Sequence, residues 1–162
     1  MNSFVGYQSP EIFEGVTFTV NSISQTTGSF DSYGLNYSKG SLKVAIASDS
    51  NAKGYDNKRF ASTFSLDSLD IDVGVLYQTT KKLSTGISEN GHVLSVKKNI
   101  FEKGSIYYQT SSSDIKLESG KQNSFGYTHK ISKVSKVFVH ASNLESDTKN
   151  GDYVSVGFEY KF

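Results

Sequence analysis

Residues 154–162 read VSVGFEYKF. Valine, phenylalanine and tyrosine occupy positions 154, 156, 158, 160 and 162, whereas serine, glycine, glutamate and lysine occupy the positions between them. Successive side chains of a β-strand point to opposite faces of its sheet, so this period of two predicts a strand with one apolar and one polar, charged face. Which of these faces meets water depends on the rest of the chain.

The composition excludes several classes of protein. The chain has 162 residues, enough for one domain, and its 17 basic and 16 acidic residues give no reason to expect a nucleic-acid partner. The absence of cysteine removes disulfides, thiolate chemistry and most structural zinc sites. No apolar run approaches the ~20 residues of a membrane-spanning helix. The opening MNSFVGYQ lacks the basic and apolar regions of a signal peptide.

Period-two runs recur along the whole sequence, and helical periodicity is almost absent. They predict eleven consecutive strands, at residues 3–9, 16–24, 32–38, 42–48, 59–66, 69–78, 91–100, 105–111, 124–131, 136–143 and 153–162. Because no helix intervenes to carry the chain back, neighbouring strands are expected to be antiparallel, in a meander. The fold class predicted is therefore all-β.

The connections between these strands predict on which side the apolar face lies. Short links such as SPEIFEG (9–15) and SKG alternate with longer polar links such as DSNAKGYDNK (49–58), and all the longer links would fall at one end of the sheet. This alternation is typical of outer-membrane barrels, whose tight turns face the periplasm and whose hydrophilic loops face outward. In such a barrel the apolar face meets lipid and the charged face lines a wet interior. Aromatic residues near strand ends, such as Tyr7, Tyr37 and Phe101, fit interfacial girdles.

Several motifs resemble known outer-membrane proteins. A final phenylalanine preceded by apolar residues at every second position resembles the C-terminal signature of bacterial outer-membrane proteins. That resemblance implies that Phe158, Tyr160 and Phe162 form a signal read by the barrel-assembly machinery. Segments NSFVGYQSPEIFEGVTFTV (2–20), SYGLNYSKGSLKVAIAS (32–48) and HKISKVSKVFVHASNLESDTKNGDYVSVGFEYKF (129–162) resemble parts of general porins from Gram-negative bacteria. Those porins are sixteen-stranded trimers that pass small hydrophilic solutes.

The resemblance implies that residues 1–162 form a single porin-like β-barrel domain matching the C-terminal two-thirds of a porin. The N-terminal strands, the constriction loop and the signal peptide are then expected to be absent. The predicted strand count is consistent with missing strands, because single-chain bacterial barrels have an even number of strands and eleven is odd. We therefore expect an incomplete, antiparallel transmembrane β-barrel of the porin type, in contact with outer-membrane lipid of a Gram-negative cell. A homotrimer is expected only for a full-length chain.

The expected function is passive diffusion of small solutes and ions through a water-filled channel whose charged lining sets ion preference. The side chains that parity places on the inner face, and which we predict to line the pore, are Lys43, Asp72, Lys97, Gln109, Lys130, Lys136, His140 and Glu159. Lysines outnumber carboxylates in this set, so a weak preference for anions is expected. Arg59 is expected at the outer rim, beside a long loop.

No catalytic site or cofactor is predicted. Neither a nucleophile elbow nor a glycine-rich phosphate loop is present in the sequence. Asp70 and Asp72 are expected to share a face as solvated groups at a pore mouth. Residues 49–56 offer Asp49, Asn51 and Asp56 as hard ligands but lack the closing glutamate of a calcium loop, so no metal is expected.

Two other classes of protein remain possible on the sequence. The chain could be a complete small outer-membrane barrel with a structural or surface-interaction role, its narrow interior filled by side chains. It could instead be a soluble β-barrel that carries a ligand between inward-facing apolar residues. The first alternative predicts membrane insertion without conductance, and the second predicts solubility without detergent.

Overall fold

A computed structural model describes residues 3–25, 28–114 and 120–161. Within these ranges the chain forms eleven strands and no α-helix, which confirms the all-β prediction and the strand count. The strands are β1 (Ser3–Gln8), β2 (Val16–Gln25), β3 (Gly28–Lys39), β4 (Leu42–Ala52), β5 (Tyr55–Leu66), β6 (Ile71–Lys82), β7 (Ser88–Phe101), β8 (Gly104–Ser113), β9 (Gly120–Lys130), β10 (Ser135–Ser146) and β11 (Asn150–Tyr160). A single 3₁₀ turn, Asp67–Leu69, follows β5. No helix among the described residues is long and apolar enough to cross a bilayer.

The strands form one sheet whose hydrogen-bonding order is the order of the sequence, from β1 to β11. Antiparallel registers such as Val20 opposite Tyr33 and Val139 opposite Val156 confirm the predicted meander. β1 and β11 are the two ends of this order, so the sheet does not close into a complete barrel within the described residues. The fold is therefore an incomplete antiparallel barrel sheet, as predicted.

The connections differ from the prediction. The link predicted at 49–58 as a long loop is a two-residue hairpin turn, with Lys53 at φ 53° and Gly54 at φ 86°, the positive values that a type I′ turn requires. In contrast, the first link, 9–15, is longer than this turn although it was predicted to be short. The predicted strict alternation of short and long connections is therefore wrong. Polar residues continue the backbone ladder past the apolar part of each strand, because ladder hydrogen bonds do not require apolar side chains.

Contacts divide the chain into two compact units. The first comprises Met1–Thr63 with Leu76–Gly91, and the second comprises Phe64–Val75 with His92–Phe162. The boundaries fall within β5, β6 and β7, so the first unit contains β1–β4 with parts of these three strands, and the second contains the remaining parts with β8–β11.

Burial is the reverse of that in a soluble domain. Among the described residues no hydrophobic side chain is buried, and the buried residues with polar side chains are Ser9, Asp49, Asn57, Thr80, Ser124 and Ser142. Soluble proteins bury their aliphatic and aromatic residues and expose most of their polar ones. A chain whose large apolar side chains are widely exposed needs an apolar environment outside itself.

Candidate channel-lining face

The first unit has one continuous apolar face and one polar face, because the strand register aligns residues of the same type. Phe18 lies opposite Leu35, and Leu35 lies opposite Ile46 on the next strand. On the other face, Ser32 lies between Asn21 and Asp49 in the same cross-strand row. Directly opposed side chains in an antiparallel pair share a face, so the two rows lie on opposite sides of the sheet.

The second unit repeats this arrangement. Its apolar face contains the row formed by Tyr127, Val139 and Val156, in which Val156 is 80% exposed. The opposite face contains the row formed by Lys130, Lys136 and Glu159. The apolar and charged residues of the closing strand are thus sorted to separate faces, as the alternation in residues 154–162 predicts.

Register and contacts place the predicted pore-lining residues on the polar faces, Lys43 in the first unit and the other seven in the second. Lys97 Nζ lies 3.3 Å from Asp72 Oδ2, and Lys136 Nζ lies 2.9 Å from Glu159 Oε2. All four side chains are roughly half exposed, so solvent screens both pairs and they contribute little to stability. Their main effect is on the charge of the surface, because in each pair one carboxylate offsets one ammonium group.

The remaining members of the predicted set lie in other rows of the polar faces. Gln109 is opposite Ser124, Lys43 is opposite Ser38, and His140 Nδ1 lies 3.3 Å from the hydroxyl of Ser155. Lys130 is opposite Lys136 at the turn end of β9 and β10. The structure brings Lys130, Lys136 and Glu159 together, and pairs Lys97 with Asp72, but it does not gather all eight residues. That these residues line a channel remains a prediction.

The polar face of the first unit holds a hydrogen-bond network that sequence reasoning missed. Arg59, the single arginine of the chain, donates through Nε to Gln78 Oε1 at 3.0 Å and lies 3.0 Å from Asp49 Oδ2 through Nη1. Gln78 Nε2 donates to Thr80 Oγ1 at 3.0 Å, and Thr80 Oγ1 donates to Asn57 Oδ1 at 2.8 Å. The network holds the Arg59 guanidinium between Asp49 of β4 and Gln78 of β6.

The surroundings predicted for Arg59 need correction. Arg59 was expected at the outer rim beside a long loop, but that loop is a tight hairpin and Arg59 lies within β5. Its position at the outer rim remains a prediction. The sequence carried a signal that was overlooked: Asn57 and Arg59 are two residues apart, as are Gln78 and Thr80, so each pair shares a face of its strand. The cross-strand partners depend on register, which the sequence alone did not provide.

We expect replacement of Thr80 by valine to lower the free energy of unfolding by about 1–3 kcal/mol. Thr80 is only 4% exposed, and valine has nearly the same shape but neither donates to Asn57 nor accepts from Gln78. Urea unfolding in lipid vesicles, followed by circular dichroism, measures the change. The matched control is Thr79→Val on the opposite face, where the hydroxyl bonds only the exposed Asn90, and a loss as large in the control would contradict this assignment.

The acidic positions singled out in the sequence serve in turns and ion pairs. Asp70 does not share a strand face with Asp72, because it precedes β6 with a left-handed backbone at φ 53°. Asp72 instead accepts a hydrogen bond of 2.7 Å from Ser65 Oγ and pairs with Lys97.

In the segment considered as a metal loop, Asp56 Oδ1 accepts a hydrogen bond from the backbone amide of Asn51 at the β4–β5 hairpin. Over the described ranges, no group of three or more potential metal ligands is present.

The predicted assembly signal lies in part on β11. Phe158 and Tyr160 are more than half exposed and lie on the same face as Val156. Phe162 lies outside the described residues. The Lys161 amide donates to the carbonyl of Val134, which attaches the end of the chain to the β9–β10 turn. Recognition by an assembly machine remains a prediction.

Comparison with known proteins gives matches at the level of structure. No family model and no curated protein sequence matches this chain. The anion-selective porin from Comamonas acidovorans superposes with a TM-score of 0.78 at 19% identity, covering 98% of this chain and 59% of that protein. A loop-deletion mutant of OmpT, an outer membrane protein of Vibrio cholerae, superposes with a TM-score of 0.76 at 13% identity, over 97% and 62% of the two chains. A mutant of the Rh. blastica porin superposes with a TM-score of 0.74 at 14% identity, over 99% and 55%.

These comparisons define the class of fold. The chain has the porin fold, an all-β antiparallel meander that matches about three-fifths of the length of the porins cited. Among them, the Comamonas acidovorans protein is the one described as anion-selective. Identities below 20% establish the shared fold and nothing further, so the activity is a separate question.

Proposed function

We propose that this protein is an outer-membrane porin of a Gram-negative bacterium that forms a water-filled channel for passive diffusion of small hydrophilic solutes and ions. It is not an enzyme in this proposal, and it requires no cofactor. The observation that carries the proposal is the sorting of side chains by face: rows such as Tyr127, Val139 and Val156 on one side, and Lys130, Lys136 and Glu159 on the other. An apolar outer face with a charged inner face is the pattern of a transmembrane barrel around a wet interior.

Burial supports this proposal against a soluble ligand-binding barrel. A soluble barrel with an apolar interior would bury its aliphatic and aromatic residues. Here the described hydrophobic side chains are all at least partly exposed, and the hydroxyls of Ser124 and Ser142 are buried 2.8 Å apart on the polar face. Lipid of the outer membrane is the partner that satisfies the exposed apolar face.

The closed barrel and its oligomer are also part of the proposal. An antiparallel ring needs an even number of strands, so further strands must join β1 and β11 to close it. We propose a sixteen-stranded barrel that assembles as a trimer, like the porins that the sequence resembles. The β-barrel assembly machinery would act on the C-terminal strand.

The channel wall is expected to prefer anions weakly. Of the predicted lining residues, Lys97 and Lys136 are each paired with a carboxylate, whereas Lys43 and Lys130 have no carboxylate partner assigned among the described residues. Two uncompensated ammonium groups raise the concentration of small anions in a narrow aqueous passage. The Comamonas acidovorans porin, whose fold this chain shares, is anion-selective, a property that belongs to that protein.

Single-channel recording tests the proposal. Protein that includes the further strands needed for closure, extracted from outer membranes in mild detergent, is expected to give stepwise conductance in planar bilayers. In a potassium chloride gradient, its reversal potential is expected to have the sign of an anion-selective channel. The charge-reversed variant Lys43→Glu is expected to shift that potential toward cations, because it replaces an uncompensated positive charge. Unheated gel electrophoresis of the same sample reports the trimer.

The alternative is a small outer-membrane barrel with a structural or surface-interaction role and no open pore. It predicts heat-modifiable, membrane-inserted protein that never conducts. Such silence from correctly inserted protein would overturn the channel and favour this alternative. Full solubility of folded protein without detergent would overturn both.

A further inference from the structure

A hollow of about 610 Å³ lies at the turn end of β9, β10 and β11, within the second unit. Its charged lining residues are Lys103, Lys130, Lys133, Lys136, Lys161 and Glu159. Five ammonium groups against one carboxylate leave a formal excess of four positive charges, although the whole chain carries only +1. The charge of this protein is therefore concentrated locally.

The backbone holds these lysines together. Lys130 and Lys136 are directly opposed across β9 and β10, and Lys136 is opposed to Glu159 across β10 and β11. The Lys103 carbonyl accepts a hydrogen bond of 2.7 Å from the Lys130 amide. Lys161 is attached by its amide to the β9–β10 turn, which carries Lys133. The hollow is thus fixed by ladder hydrogen bonds and not by flexible side chains alone.

Glu159 does not neutralise the hollow. Its Oε2 lies 2.9 Å from Lys136 Nζ, which offsets one of the five positive charges. For the other four lysines, no ion pair within 4.0 Å is assigned to a carboxylate of the described residues. Ammonium groups held on one concave surface repel one another, and an anion with several charges relieves more of this repulsion than chloride does. The hydroxyls of Ser132 and Ser135, which lie 2.7 Å apart, also line the hollow.

We propose that this hollow is a binding site for small soluble anions carrying two or more negative charges, such as phosphorylated or polycarboxylate solutes. Lysine presents a compact charge with rotatable donors, without the planar fork of arginine, so the site selects for charge more than for ligand shape. The register places Lys130 and Lys136 on the polar face, away from the apolar row that we assign to lipid. A role in collecting anions for permeation rests on the proposed channel, whereas the binding itself does not.

Calorimetric titration with inorganic pyrophosphate tests the site. Protein purified from outer membranes in a neutral detergent at low ionic strength is expected to show saturable binding that sodium chloride at matched ionic strength does not reproduce. The double variant Lys130→Gln/Lys161→Gln is expected to weaken the affinity at least about tenfold, equivalent to roughly 1.4 kcal/mol. The charge-preserving variant Lys130→Arg/Lys161→Arg is expected to bind within about threefold of the parent, since charge dominates recognition.

The matched control removes the same charge elsewhere in the same unit. Lys121 lies near the opposite end of β9, and Lys149 lies in the β10–β11 connection, so Lys121→Gln/Lys149→Gln should leave pyrophosphate affinity unchanged. If both double variants weaken the pyrophosphate affinity equally, the affinity depends on net charge alone, and the proposed site is overturned. Absence of saturable binding to the parent protein would overturn it as well. Circular dichroism and heat modifiability verify that each variant is folded.

Two further measurements separate this inference from others. Addition of phosphatidylglycerol to the detergent should not compete with pyrophosphate, and effective competition would assign the hollow to lipid headgroups instead. Conductance recorded on the same preparations distinguishes the site from the channel. Binding without conductance would support the anion site and overturn the proposed channel function. Conductance without binding would support the channel and overturn the anion site.

Discussion

Val156→Lys is expected to destabilise the membrane-inserted protein by about 2–4 kcal/mol, the penalty for a charged residue on the lipid face near the middle of a barrel strand. Val156 lies in the interior of β11, is 80% exposed, and continues the apolar row of Tyr127 and Val139. In lipid the ammonium group has no water to solvate it. Urea unfolding from lipid vesicles, with the folded fraction read by circular dichroism, measures the loss.

The neighbouring variant Ser155→Lys is the matched control. Ser155 lies on the polar face, opposite His140, so the same charge on the same strand should cost less than about 1 kcal/mol because it remains hydrated. The contrast between adjacent positions tests the orientation of the whole sheet. Equal stability of the two variants in vesicles, or a larger loss for Ser155→Lys, would contradict an outward apolar face.

Removal of Phe162 together with Tyr160→Ala is expected to abolish most of the folded protein in the outer membrane of living cells. Phe158, Tyr160 and Phe162 alternate at the end of the chain, and Phe158 and Tyr160 lie on the exposed apolar face of the last strand. A terminal aromatic of this kind is also suited to the membrane interface. The heat-modifiable fraction in isolated outer membranes measures the effect.

The same variant should still fold into lipid vesicles in vitro, because the proposed defect is recognition by the assembly machinery and not the ladder between β10 and β11. Phe101→Ala is the matched control, since Phe101 is an aromatic at the end of β7 that is also more than half exposed, far from the C-terminal strand in sequence. Normal assembly of the C-terminal variant in cells would refute the signal. Failure of both variants would indicate a general need for interfacial aromatics.

Most of the fold could be predicted because its signal is local. Each of the eleven predicted period-two runs overlaps an observed strand, including 91–100 within Ser88–Phe101, and the observed order is that of the sequence. The faces were predictable for the same reason: residues two apart share a side of the sheet whatever lies next to them. The strand ends were not, since 49–52 and 55–58 pair as a hairpin despite their loop-like composition.

The candidate site was predictable only in part. Parity placed the eight lining residues on the polar face, but it could not pair Lys136 with Glu159 or join Arg59 to Asp49. Those contacts depend on which residues stand opposite each other, and a shift of register by one residue would exchange them all. Asp70 illustrates a second limit, because a left-handed backbone before β6 removes it from the alternation that its spacing from Asp72 suggests.

By itself, the sequence determined that this protein is an antiparallel all-β meander with one apolar and one charged face. That much follows from alternation along single strands, which the pleat of the backbone converts directly into faces. Only the tertiary structure decided where the charges meet, with Lys136 and Glu159 paired and the lysines around them concentrated in one hollow. The physical reason is that ladder hydrogen bonds between distant segments set the register, and electrostatic neighbours follow from the register and not from position along the chain.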